Sequence, residues 1–344
     1  MNTLRIGLMG FGQVGRQIYR LALKDDRFDT VAIADIGQPD ILHHLLSKSM
    51  GRDGSVTLTG NHLVASDGTT TQTTRLMSTE RPGEIPWDLL GVDVVIDVTG
   101  RYRSRTALSP HLDNGARRVV TSSLPDGELD RVVLYGVNQA SAVAADRIVS
   151  AGSASTTAMG LALRVVTAAK PIAHATMTSV HAYTRDQSLY DHAGPDYRRS
   201  RAAAGNIIPN STPAPHWVEQ ALPAVKGKVS GFALNVPVAV GSLLDVTLAF
   251  TDAAMDADEI NGLFAAAAEA EPDLIAVTHD PIVSSDVRGF SQSILVDLQG
   301  TLMAGQKLMK LLAWHEILGH ASRILDLAAH YAALDAEQMT TGAG

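Results

Sequence analysis

The sequence predicts an α/β protein: a Rossmann-type doubly wound parallel sheet joined to an α+β domain whose sheet is mainly antiparallel. Three observations carry that expectation. A glycine-rich turn, Gly10-Phe11-Gly12-Gln13-Val14-Gly15, separates a strand-like apolar run from a helix-like one. Short apolar runs then alternate with helical spacing to about residue 150, as a doubly wound sheet requires. Beyond the next helix the runs lengthen and alternate, the pattern of antiparallel strands with one buried face.

Residues 4–9 read as a buried parallel strand, 10–15 as a tight turn, 14–24 as a helix and 30–34 as the next strand, ending at Asp35. A lone G-x-G-x-x-G is a weak signal, because glycine turns arise for steric reasons alone. Strand, turn, helix, strand and an acid 20 residues after Gly15 together make a dinucleotide fingerprint. The glycines let the backbone approach a pyrophosphate. Asp35 accepts from ribose hydroxyls and repels a 2′-phosphate, so the expected cofactor is NAD rather than NADP. Residues 90–100 supply another buried strand, ending at Thr99-Gly100, where an open parallel sheet places its ligand crevice. Strands are expected at 116–122, 131–136 and 147–150, then a helix over 158–169. The alternating strands fall at 173–182, 231–236, 243–251 and 293–298, and 318–334 reads as a helix. The polar stretch 185–209 carries Arg198, Arg199 and Arg201 and is long for a simple connection, which marks loops with functional or interfacial roles.

With 344 residues, 45% hydrophobic and 19% charged, the chain has the length of two domains. A net charge of −8 argues against a general nucleic-acid or anionic-membrane binder. The absence of cysteine excludes disulfides, thiolate metal sites and covalent thiol chemistry; no metal is expected. No secretory leader precedes the first strand and no apolar run approaches membrane-spanning length, so a cytoplasmic location is the default expectation.

Two segments hold the candidate chemistry. Residues 148–159 run from a strand through the small-residue turn around Ser153, Ala154 and Ser155 into a helix, whose N-terminal N–H groups favour an anion or a developing oxyanion. Residues 178–187 alternate as a strand does and deliver His181, a candidate acid/base. An isolated histidine is more often a satisfied core residue, and turn serines more often helix caps.

These segments resemble glyceraldehyde-3-phosphate dehydrogenase, whose S-N-A-S-C-T-T-N is followed by H-A-Y-T-N-D-Q. Gly10 to Arg16, Tyr135-Gly136-Val137-Asn138, 198–204, Asn206-Ile207-Ile208-Pro209 and Val283-Ser284-Ser285-Asp286 extend the match over nearly the whole chain. The resemblance puts the family's nucleophilic cysteine on Ala154 and its catalytic histidine on His181. It implies an NAD-binding domain over 1–150 completed by the C-terminal stretch 318–344, and a catalytic domain over 151–317. The loop 185–209 would lie beside a neighbouring subunit's cofactor, implying a homotetramer. Three further positions depart from the pattern: the phosphate-binding arginine is Asn235, the glycine of a T-T-G turn is Pro213, and the asparagine that holds the nicotinamide carboxamide is Glu316. Ser155, Thr184, Arg199 and Thr212 retain anion-contacting chemistry. An engineered cysteine-to-alanine change accounts for Ala154 and for none of the other three. A specialised relative is expected: an NAD-dependent, aldehyde dehydrogenase-like oxidoreductase acting on a small polar aldehyde, hydroxy compound or sugar derivative. The alternative is a catalytically inactive NAD-binding paralogue with a binding or regulatory role.

Overall fold

A computed structural model describes residues 3–51, 54–184, 187–252 and 255–341. Arg185 and Asp186, at the start of the polar loop, lie outside the described residues, as do the last three of the expected C-terminal stretch. The chain forms two compact units. One runs to Tyr135, continues over Gln139–Gly152 and resumes from Ala321; the other comprises Gly136–Asn138 and Ser153–His320.

In the first unit, β1 (Leu4–Met9), α1 (Gln13–Leu23), β2 (Phe28–Asp35) and α2 (Pro39–Met50) precede a hairpin-rich stretch of β3 (Ser55–Thr59), β4 (His62–Ser66) and β5 (Thr71–Ser78). Then come α3 (Trp87–Leu90), β6 (Val94–Asp97), α4 (Arg105–Asp113), β7 (Arg118–Thr121), β8 (Arg131–Val132) and β9 (Ile148–Ser150). They build one nine-stranded sheet in the order β3-β4-β5-β2-β1-β6-β7-β9-β8, parallel except for the β3–β4–β5 pairs. Both faces are covered. Ile6, Leu8, Ile33 and Ile96 pack with Ile18, Tyr19, Ile324 and Tyr331, while Met9, Ala32 and Val95 pack with Trp87 in a separate cluster. Burial on two sides is why these strands are apolar without alternation, and each fully buried Ile, Leu, Met or Val side chain contributes about 1.5–3 kcal/mol. The strand expected over 90–100 is only Val94–Asp97, because Trp87–Leu90 turn into a short helix closed by left-handed Gly91, φ 66°. That expected over 131–136 stops at Val132.

The second unit contains α5 (Ala154–Ala169), β10 (Ile172–His181), β11 (Ile208–Asn210), α6 (Ala214–Ala221), β12 (Val229–Asn235), β13 (Ser242–Phe250), α7 (Ala257–Ala270), β14 (Ile275–Thr278), β15 (Ile294–Ala304) and β16 (Leu308–His315). A final helix, α8 (Ile317–Thr341), starts here and continues into the first unit. The sheet order is β11-β12-β10-β13-β16-β15-β14, antiparallel except for β10–β12 and β14–β15. Helix α5 lies on the face formed by β10, β13, β15 and β16. That helix starts four residues before the expected 158. Ser153 adopts an extended backbone and its Oγ accepts the Thr156 N–H at 3.3 Å, so the weak helix formers Ser155, Thr156 and Thr157 fall inside a capped first turn.

Candidate active site

The glycine-rich turn joins β1 to α1. Gly10 has φ 96°, and a side chain there would meet the backbone of Thr99 and Val98; at Gly15 it would meet the Gly10 carbonyl. Space is open at Gly12, the residue preceding α1, and the first turn of α1 holds no acidic side chain. An anion therefore has room and a favourable dipole at this helix start. Phe11 turns its ring into the core, edge-on to Tyr19, and offers only backbone. Gln13 is exposed and Val14 half-buried at the helix start. Asp35, at the end of β2, braces the turn: its Oδ2 accepts the Phe11 N–H at 2.6 Å and its Oδ1 the Gly37 N–H at 2.8 Å. Each oxygen retains acceptor capacity for a ribose hydroxyl. At the end of β6 the fully buried Asp97 carboxylate accepts both the N–H and the hydroxyl of Thr99, at 2.9 and 2.7 Å, and fixes the turn that carries Gly100, φ 69°.

In the second unit, Ala154 is the first residue of α5 and presents a methyl where the turn geometry displays a side chain at a helix N-terminus. Its neighbours are engaged with each other. Ser153 Oγ lies 2.6 Å from Thr156 Oγ1 and 3.3 Å from the largely buried Ser155 Oγ, so Ser153 serves as a cap. His181 ends β10. Its Nε2 is 3.0 Å from Oγ of the fully buried Ser179, two residues back on the same strand face. Across the sheet its ring meets that of His315, at the end of β16, edge to face: 5.7 Å between centroids, planes at 73°. His315 is 4% exposed. Burial first, then the neighbouring His181 and His320, pushes its imidazole down to about 3.

Asn235 stands beside His181 in the β10–β12 register and is buried. Its Oδ1 accepts from Asn210 Nδ2, and its Nδ2 donates to Gln187 Oε1 at 3.1 Å and more weakly to Thr184 Oγ1 at 3.4 Å. Gln187 Oε1 also accepts from the Thr184 N–H at 2.9 Å and from its hydroxyl at 3.2 Å. Arg199 Nε reaches Asn210 Oδ1 at 3.2 Å, so the exposed Arg199 is tied to this cluster. Of the other loop arginines, Arg201 pairs with Asp191 at 3.1 Å, and Asp196 accepts the backbone N–H groups of Arg198 and Arg199.

Thr212 and Glu316 are engaged elsewhere. Thr212 Oγ1 accepts the Ala214 N–H at 3.2 Å at the start of α6, beside Pro213, which has no N–H to offer. Glu316 Oε2 accepts the Leu318 N–H at 2.6 Å at the start of α8. The arrangement thus joins His181, Asn235, Thr184 and Arg199 in one chain of neighbours, while the links of Ser153 and Ser155 are to the α5 start and those of Thr212 to α6. Sequence reasoning missed Ser179, Gln187, Asn210 and His315. The two-residue strand spacing of Ser179 and His181 is a usable signal, and Gln187 closes the motif that begins at His181; nothing local marks Asn210 or His315. Among the described residues no group of three or more His, Asp or Glu is placed to hold a metal ion, and no helix is long and apolar enough to cross a membrane.

Comparison with known families matches residues 4–105 to "Glyceraldehyde 3-phosphate dehydrogenase, NAD binding domain" and residues 153–317 to "Glyceraldehyde 3-phosphate dehydrogenase, C-terminal domain". The chain is similar to glyceraldehyde-3-phosphate dehydrogenase 1 of Bacillus subtilis (strain 168), 34% identical over 96% of this chain and 98% of the relative. It is also similar to glyceraldehyde-3-phosphate dehydrogenase of Kitasatospora aureofaciens, 38% identical over 94% of this chain and 97% of the relative.

Proposed function

This chain belongs to the glyceraldehyde-3-phosphate dehydrogenase family, and from that premise we propose an NAD-dependent oxidoreductase that works without a covalent thiol step on a small polar aldehyde, hydroxy compound or sugar derivative. The residues fit NAD: open space at Gly12, a free helix start and a braced acceptor at Asp35 match a pyrophosphate and a ribose. Gly10 to Gly15, Asp35, Thr99 and Gly100 would hold it, and the family resemblance alone adds Glu316. When bound, NAD supplies a hydride acceptor.

His181 takes the proton from a substrate hydroxyl, that of an alcohol or of a hydrated aldehyde, and returns it in the reverse direction. Ser179 holds its ring. Asn235, a neutral amide whose N–H groups reach Gln187 and Thr184, supplies no charge-assisted clamp for phosphate. The single observation carrying this reading is that an oriented imidazole survives at 181 while a methyl stands at 154. Family resemblance further supports a homotetramer in the cytoplasm, organised into a cofactor domain over 1–150 plus 318–344 and a catalytic domain over 151–317.

The test is absorbance at the reduced-nicotinamide band across a panel of aldehydes and alcohols. The expected result is turnover of a small polar member, reduced about 100-fold or more by His181→Asn. No turnover of any member, even after Ala154→Cys, contradicts the proposal and leaves a non-catalytic NAD-binding role.

A further inference from the structure

Two of the groups that hold His181 come from different strands. Ser179 fixes the Nε2 side from β10. From β16 the His315 ring packs against it edge to face. His315 Nε2 is buried and has no hydrogen-bond partner among the described residues. A proton there would create a charge with neither water nor an acceptor to offset it, so the ring stays neutral.

The groups around it agree with that state. His181 on β10 and His320 in the first turn of α8 both oppose a positive charge on it. Next in the chain, Glu316 gives its carboxylate to the Leu318 N–H. Asp245 on β13 and Lys310 on β16 pair with each other and, like Asp297 on β15, stand at register positions of the opposite face. On α5 the one charged residue, Arg164, pairs with Glu271. Further along α8, Arg323 pairs with Asp326.

We propose that His315 is a positioning residue for His181, a neutral ring that fixes the plane of the acid/base imidazole from across the sheet. The inference rests on the acid/base role proposed for His181. It makes two demands that differ from those of simple core packing. Loss of the ring slows proton transfer without weakening substrate binding, and Phe, also a neutral ring, restores the rate. An anion placed there couples electrostatically to His181 and stabilises its protonated form.

Diethylpyrocarbonate, which reacts with an imidazole only in its neutral form, reads the second demand without any substrate. Its pH-dependent reaction at His181, followed by peptide mass spectrometry on the NAD-loaded full chain, is compared for wild type, His315→Phe and His315→Asp. The expected midpoint is unchanged for Phe and raised by about one pH unit or more for Asp. On any substrate that turns over, His315→Ala lowers kcat about tenfold with KM unmoved, and His315→Phe recovers most of it. A midpoint that does not move in His315→Asp overturns the proposal, as does an Ala variant with wild-type kcat. If no substrate is found, the functional reading fails on the panel while the midpoint comparison still decides this one.

Discussion

His315 is one point at which acid enters the stability of this protein, beside carboxylates such as Asp130 and Asp146 that, despite burial, hydrogen bonds hold below their ordinary range. The imidazole's ordinary value is 6.5 and the folded chain lowers it to about 3, so between those values the unfolded chain binds a proton that the folded one does not. Stability therefore rises with pH across that window and is lost as pH falls from about 6.5 toward 3. The full effect is on the order of 4–5 kcal/mol, since each unit is worth about 1.4 kcal/mol. Urea unfolding at a series of pH values checks this: His315→Phe is expected to flatten the acid limb relative to wild type, and an unchanged slope contradicts it. Position 181 was legible in the sequence, because a motif surrounds it. His315 was not, because the role proposed for it depends on contact with His181, 134 residues earlier in the chain, and Trp314-His315 carries no local signal of its own.

Helix α8 illustrates what an element needs beyond periodicity. Its apolar face packs Ile324, Leu327, Ala328 and Tyr331 into the core of the first unit. It is also held by charge: Arg118, 1% exposed, donates two hydrogen bonds to Asp335 at 2.8 and 2.9 Å and lies over the Tyr331 ring, 4.4 Å from its centroid. The Tyr331 hydroxyl donates to Asp146 at 2.8 Å. Burial first and then the Asp146 carboxylate push that phenol well above its ordinary value. Removing one partner leaves a buried guanidinium uncompensated, so Asp335→Ala is expected to cost about 3 kcal/mol in denaturant unfolding; a loss below 1 kcal/mol contradicts that account. The helix itself was readable from 318–334. The start of α5 was not, since Ser155-Thr156-Thr157 are poor helix formers and only the Ser153 cap and burial in the second unit place them in a helix. Likewise β1, α1 and β2 were readable because their strands are buried on both sides. The β3–β4–β5 stretch is not legible in the same way, because exposed polar residues alternate along all three strands and leave no continuous apolar run, although only β3 lies at the sheet edge.

For the whole molecule, the fold is that of the family, and the proposed novelty is confined to side chains set at the ends of separate elements: Ala154 opening α5, Pro213 before α6, Asn235 closing β12 and Glu316 before α8. If these form one altered site, restoring the nucleophile alone is insufficient, because phosphate still meets a neutral amide at position 235 in place of a guanidinium, with Arg199 held on Asn210. A missing charge-assisted, bidentate contact costs on the order of 1.5–3 kcal/mol, roughly one to two decades in affinity. The decisive measurement is kcat/KM for glyceraldehyde 3-phosphate oxidation by Ala154→Cys alone and by Ala154→Cys combined with Asn235→Arg, Pro213→Gly and Glu316→Asn. An altered site predicts that the fourfold variant exceeds the single one by at least about tenfold. Equal efficiency of the two would contradict it and make this chain an ordinary family member with an inactivating substitution.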